Sequence, residues 1–149
     1  MLMEKADQKM VGFLKKHHVM TLSTCIDHWP WCANCFYAFD DEKMSLIFTS
    51  DFETRHIKEA LQNSHVAGNV VLETSVIGKI QGIQFSGELL LPEDEESAEV
   101  NSIYLKRFPF TILMNTHLWL LRIDYAKMTD NRLGFGKKLI WERDNSAIY

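Results

Sequence analysis

Apolar positions follow two rhythms along the chain, and the change between them falls near Ser50. Leu46, Ile47 and Phe48 form a short apolar run of strand type. Phe52, His56 and Ala60 then recur at helical spacing, with Ile57 and Leu61 widening the stripe. Ser50 with Glu53 fits a capping box, while Asp51 or Thr54 would cap a helix starting slightly later. Upstream, Met3, Ala6, Met10, Phe13 and Leu14 fall on one side of an amphipathic N-terminal helix. Strict alternation then predicts a strand over 19–25, with Met20, Leu22 and Thr24 on one face. Asp27 and His28 make a polar reversal, 31–39 is a long apolar strand, and Asp40 to Lys43 turn into 44–49. Three strands joined by short polar turns predict an antiparallel meander.

Past the second helix, strands are expected over 65–72, 80–91 and 118–124. Gly82 and Gly87 inside the 80–91 run signal a bulge, bend or close backbone approach. Pro92 opens an acidic helix that ends before Pro109, and Phe110 to Met114 is a short connector. Six or seven strands with two or three helices indicate an α+β fold on a small barrel, and no repeat or linker divides residues 1–149, which reads as a single domain.

Composition narrows the function classes. With 46% hydrophobic and 24% charged residues the 149-residue chain is of ordinary globular type, and its net charge of −4 argues against a sequence-independent nucleic-acid surface. No apolar run is long enough to span a bilayer, and Glu4, Lys5, Asp7 and Lys9 interrupt the region a signal peptide would need. Cys25, Cys32 and Cys35 are an odd, sparse set suited to a reducing compartment, so a cytoplasmic location is expected.

Candidate chemistry concentrates at the strand-to-helix corner. Free backbone N–H groups at a helix start attract anions, and Thr49, Ser50, Thr54, Arg55 and His56 add hydroxyls and cations; plain capping is the alternative reading of the same residues. Cys32 and Cys35 have redox or metal spacing but sit in a strand, where residues three apart face opposite ways, and no second ligand pair accompanies them. The six histidines form no spaced cluster, and no metal site is expected. Gly134-Phe-Gly136 before Lys137 and Lys138 resembles part of a phosphate loop, but the Gly-Lys-Ser/Thr ending is missing and no helix is expected to follow, so a glycine hairpin is the preferred reading.

Taken in order, Pro30 to Phe39, Phe48-Thr49, Thr54-Arg55-His56 and Ile80 to Glu88 resemble the pyridoxamine phosphate oxidase-like flavoproteins. Trp31 to Asn34, Phe36-Tyr37, Thr129-Asp-Asn131 and Leu133 to Lys138 are similar to an uncharacterised bacterial subgroup, the YhbP-like proteins, over nearly the whole chain. The resemblance implies an FMN-binding split barrel, antiparallel and Greek-key-like with flanking helices, and a homodimer with flavin sites at the subunit interface. It implies that Cys32, Ala33 and Asn34 run along the flavin and that Phe48, Thr49, Thr54, Arg55 and His56 hold its phosphate. An amide then reaches the ring, from Gln81 or alternatively Gln84, and Phe135, Lys137 and Lys138 of a second copy complete the site. Where the oxidase carries basic residues on its second strand and a Lys after the corner Arg, this chain has Cys32, Ala33, Asn34 and His56, and it has no counterpart of the oxidase's basic substrate-phosphate residues, which speaks against oxidation of pyridoxamine phosphate itself. The expected activity is that of an FMN-dependent oxidoreductase of unknown substrate; the alternatives are a non-catalytic flavin carrier or sensor, and a haem-binding split barrel with His117 or another His as ligand.

Overall fold

The computed structural model describes residues 3–113 and 117–144. Helix α1 (Gln8–Lys16) is followed by strands β1 (Val19–Ile26), β2 (Trp29–Asp40) and β3 (Ser45–Thr49). Helix α2 (Arg55–Gln62), β4 (His65–Val71), β5 (Gln81–Leu90), α3 (Asp94–Arg107), β6 (Leu118–Asp130) and β7 (Lys138–Glu142) complete the order. All strand pairings are antiparallel, in the sequence β3-β2-β1-β4-β5-β6-β7. A further pairing of β3 with β6 closes six strands into a ring and leaves β7 as an outer flap on β6. This is the antiparallel split barrel that the resemblance implies. No helix among the described residues is long and apolar enough to cross a membrane.

Local chemistry accounts for the joints. Asp27 and His28 both adopt positive φ, 51° and 67°, the two-residue turn whose twist matches a β-hairpin. The Asp40 carboxylate accepts from the N–H groups of Glu42 and Lys43 and holds the next turn. Gly87 sits where β5 meets β6 at a register shift, and a Cβ there would overlap the Arg122 carbonyl. Because Ser86 faces Tyr125 while Gly87 faces Ile123, Asp124 is the extra residue of a bulge in β6.

The ring encloses Met20, Leu22, Tyr37, Phe48, Ile83, Phe85, Trp119 and Leu121, and α1 joins this core through Met10, Phe13 and Leu14. Each fully buried aliphatic or aromatic side chain of this kind stabilises the fold by about 1.5–3 kcal/mol. The Tyr37 hydroxyl donates to Leu14 O at 2.8 Å and the Trp141 indole donates to Glu4 O at 2.8 Å, tying α1 and its approach to β2 and β7. Outside the ring, Val100 and Tyr104 of α3 cover Ala38, Ile47 and Leu120. The unbroken apolar run Leu46-Ile47-Phe48 is thus explained by burial on both faces of β3.

Several boundaries differ from expectation. Strand β2 begins at Trp29, two residues early, because the tight hairpin turn starts its pairing at once. Helix α2 starts at Arg55 with Thr54 as its cap position, the last of the three expected, and no side chain caps it. Glu53 closes no capping box; it pairs with Lys58 at 3.0 Å. Leu61 is exposed, and Phe52 lies ahead of the helix against Trp119, ring centroids 5.1 Å apart. Strand β6 continues six residues past Asp124, and Met114 of the expected connector lies outside the described residues.

Candidate functional site

The corner between β3 and α2 is pinned to the start of β6. Ser50 N–H donates to His117 O at 3.3 Å and the Trp119 indole N–H donates to Ser50 O at 2.8 Å. Thr54 donates through both its N–H (3.2 Å) and its hydroxyl (2.8 Å) to Asp51 O, which holds the bend before the helix. His56 is thereby turned back toward the corner, with Nε2 2.6 Å from Ser50 Oγ and 3.4 Å from Thr54 Oγ1. The first helical hydrogen bond of α2 runs from Lys58 N–H to Thr54 O, so the N–H groups of residues 55–57 remain outside the intrahelical ladder. Burial holds the His56 imidazole below its ordinary pKa, leaving it neutral near pH 7. Two hydroxyls, one neutral imidazole and a helix start make a donor-rich cradle suited to an anion's oxygens.

Arg55 lies on the other side of the helix start and does not join His56. Its guanidinium stacks over the Trp31 ring, 4.1 Å from the centroid, and its Nε–H donates to Glu59 Oε1 at 3.2 Å. Glu59 in turn accepts from the Thr24 hydroxyl at 2.6 Å. That hydrogen bond, ahead of the one from Arg55, holds the Glu59 carboxyl below the usual carboxylate range. Trp31 and Glu59 are site neighbours that reading the sequence passed over. The spacing of Arg55 and Glu59, four apart on a helix, was the available signal.

The outer face of the sheet carries a polar row in direct register: Asn34, Thr21, Asn69, Gln84 and Lys127 lie side by side across β2, β1, β4, β5 and β6. The Thr21 hydroxyl donates to Asn34 Oδ1 at 3.0 Å. Cys32 is exposed on this same face and Ala33 alternates to the other, opposite Leu22. Gln81 shares the inward alternation of Ile83 and turns its amide back to Lys79 O at 3.5 Å, so the amide standing in the open row is that of Gln84. Phe48 is fully buried and β3 is paired on both sides there, so its side chain offers no contact to a ligand. Thr49 is half-buried at the strand end. Cys35 is buried, and burial pushes its thiol up to about 11; Cys32 and Cys35 diverge as their strand spacing predicts.

Beside this row a cavity of about 820 Å³ opens between β1, β4, β5 and β6, its wall including Ser23, His65, Ser86, Arg122 and Arg143. Neither arginine had a marker in the sequence. Arg143 is held by the carbonyls of Ile123, Lys43 and Met44, and Arg122 pairs with Glu88 and Asp124.

The C-terminal loop stands at the other end of β6. Asp130, 1% exposed, accepts from Arg132 N (3.0 Å), Nε (3.0 Å) and Nη2 (2.9 Å), and these bonds hold its carboxyl low. Asn131 donates to Ile77 O at 2.9 Å and Lys138 Nζ to Thr129 Oγ1 at 2.9 Å. Gly134 and Gly136 take positive φ, 123° and 76°, and lift Phe135 out with 80% of its surface exposed. Lys137 and Lys138 are exposed beside it. The thirteen residues of β6 separate this loop from the α2 corner, so one chain does not bring the two together. No group of three or more metal-ligating side chains occurs among the described residues.

No family model matches the chain. It is 44% identical over 135 residues to a UPF0306 protein of Cronobacter sakazakii, covering 91% of this chain and 94% of that protein. It is 40% identical over 135 residues to the UPF0306 protein YhbP of Salmonella arizonae, covering 91% and 92%. Among solved structures it is similar to a haem-binding protein from Mycobacterium smegmatis, with TM-score 0.70 and 15% identity over 84% of this chain and 52% of that one. An FAD-binding protein from Mesorhizobium loti gives TM-score 0.68 and 14% identity over 86% and 97%. A candidate pyridoxamine 5'-phosphate oxidase from Listeria innocua gives 0.63 and 16% over 79% and 93%. At these identities the structures share the fold.

Proposed function

From the premise that the chain belongs to the UPF0306 (YhbP) family and has the pyridoxamine phosphate oxidase-like split-barrel fold, we propose that it binds FMN at the α2 corner and serves as an FMN-dependent oxidoreductase. The observation that carries the reading is the convergence of Ser50, Thr54 and His56 on the start of α2, with Arg55 ordered on the other side of that start. These groups fit a phosphate monoester: hydroxyl and backbone donors supply hydrogen bonds, and Arg55 adds a fork of guanidinium donors. Thr49 closes the strand end of the cradle, and at Phe48 only the main chain is on offer.

Along β2, Cys32, Ala33 and Asn34 would flank the flavin, and Gln84, in preference to Gln81, would offer its amide toward the pyrimidine edge. The corner and the glycine loop stand at opposite ends of β6, so Phe135, Lys137 and Lys138 serve the site of a second copy, in a homodimer. When bound, FMN supplies the hydride chemistry. Lys137 or Lys138 near the ring would favour its reduced, anionic form, and the phosphate would raise the His56 pKa by favouring the imidazolium. Hydride transfer requires no dedicated acid or base, and none is assigned.

Titration of the folded protein with FMN, read by quenching of flavin fluorescence, tests the proposal. Saturable uptake is expected, weakened at least about tenfold by Arg55→Ala, corresponding to 1.4 kcal/mol. A folded sample that takes up no FMN overturns the reading. Reduction of the bound flavin by NADH or NADPH distinguishes an oxidoreductase from a carrier. A second reading, haem binding, is favoured by the likeness to the mycobacterial haem-binding protein and by His117, exposed and packed edge-on against Phe52 at 4.5 Å; a Soret band after haem addition would support it.

A further inference from the structure

Most exposed arginines move among many rotamers, and ordering one on a ligand costs entropy. Arg55 is already ordered although its side chain is 53% exposed. The Trp31 ring lies under its face, and the Glu59 carboxylate takes its Nε edge. Glu59, whose side chain is 12% exposed, is itself fixed by Thr24, a residue 2% exposed on β1. Three elements, β1, β2 and α2, thus converge on one guanidinium, and its two terminal nitrogens make no hydrogen bond among the described residues. With its arginine side more than half exposed, an ion pair of this kind adds little to stability, so fold maintenance is a weak explanation for the arrangement.

We propose that Glu59 is the positioning residue of the anion site: anchored by Thr24, it holds Arg55 flat on Trp31 with its Nη edge presented to a phosphate monoester. The inference rests on the flavin reading above and adds a requirement to it. Because Glu59 already balances the charge of Arg55, what the arginine contributes is a prearranged fork of donors, suited to two oxygens of one phosphoryl group. A ligand lacking that group gains nothing from the arrangement.

The test uses the full chain with two probes, FMN and riboflavin, the second lacking the phosphate. Glu59→Gln is expected to weaken FMN about tenfold and to leave riboflavin unchanged. In the Arg55→Ala background the same substitution should have no further effect, since the arginine it positions is gone. Thr24→Val, which removes the anchor and leaves both charges, should weaken FMN in the same direction by a smaller factor. Glu59→Gln binding FMN as tightly as the parent or more tightly, equal losses for both probes, or additive losses in the double variant would each overturn the proposal. If the folded parent takes up no FMN at all, the flavin reading itself fails, and this inference with it.

Discussion

At one end of β6 the chain turns through Ser50, Thr54, Arg55 and His56; at the other it turns through Thr129, Asp130, Asn131 and Arg132. Both stretches are rich in hydroxyls, amides and charge, yet they use these groups differently. In the C-terminal loop the polar side chains are consumed internally: Asp130 by Arg132, Asn131 by Ile77, Thr129 by Lys138. In the corner Ser50, Thr54 and His56 satisfy one another while the helix start beside them stays outside the ladder. A distinctive sequence motif is therefore not in itself a binding motif. The loop's polar chemistry is bracing, and what it offers outward is Phe135 with its neighbouring lysines.

Breaking the bracing should have the largest effect. Asp130→Asn weakens three hydrogen bonds to Arg132 at a buried position, and a loss of about 2 kcal/mol is expected in urea unfolding. Because the folded-state pKa of Asp130 is depressed, its contribution is complete above the ordinary carboxylate value and is lost as pH falls through the folded one. A stability profile through that acid range should flatten in the variant.

A smaller effect separates the corner from the loop by pH. The His56 pKa is lowered by burial, so in the ligand-free protein its contribution is present above the ordinary imidazole value of 6.5 and is lost as pH falls through the folded value. Ligand affinity should run the opposite way. A phosphate favours imidazolium, so FMN binding should tighten several-fold, by roughly an order of magnitude at most, between about pH 8 and 6.5. In His56→Gln both slopes should shrink, and unchanged slopes would remove His56 from the site.

The smallest effect on stability should come from Phe135→Ala. With 80% of its surface exposed, its removal should change unfolding free energy by no more than about 0.5 kcal/mol. Flavin affinity should nevertheless fall several-fold if the loop serves a second copy. Equal FMN binding by the variant would leave the loop as bracing alone.

The sequence made the repeating parts of the architecture legible, and its failures have local causes. Alternation in β1 matched burial because one face meets the core and the other solvent: Met20, Leu22 and Thr24 are buried while Val19 is exposed. In β6 the same reasoning stopped at Asp124. Trp119, Leu121 and Ile123 face inward before the bulge, and Ala126, Met128 and Asp130 after it, so one unpaired residue reverses the parity and disguises the strand's second half. The start of α2 was ambiguous because Ser50, Asp51 and Thr54 are all competent caps, and contacts to His117 and Trp119, distant in sequence, exclude Ser50. Within the site, the polar residues near the helix start were visible from spacing, but their division into a His56 group and an Arg55 group depends on Trp31 and Thr24 from other strands. Which of Gln81 and Gln84 stands in the open row depends on parity within β5, which Gly82 and Gly87 obscured.

The pairing of β3 with β6 has a mechanical consequence. A closed hoop offers no loose end, so β3 can come away only by parting from β2 and β6 together, with α3 lying over it as a strap. The outlying β7 has one ladder only, with β6, and is otherwise anchored by the buried Trp141 and its bond to Glu4 O. Detaching a strand thus breaks one ladder at β7 and two at β3, the wall on which the α2 corner is mounted.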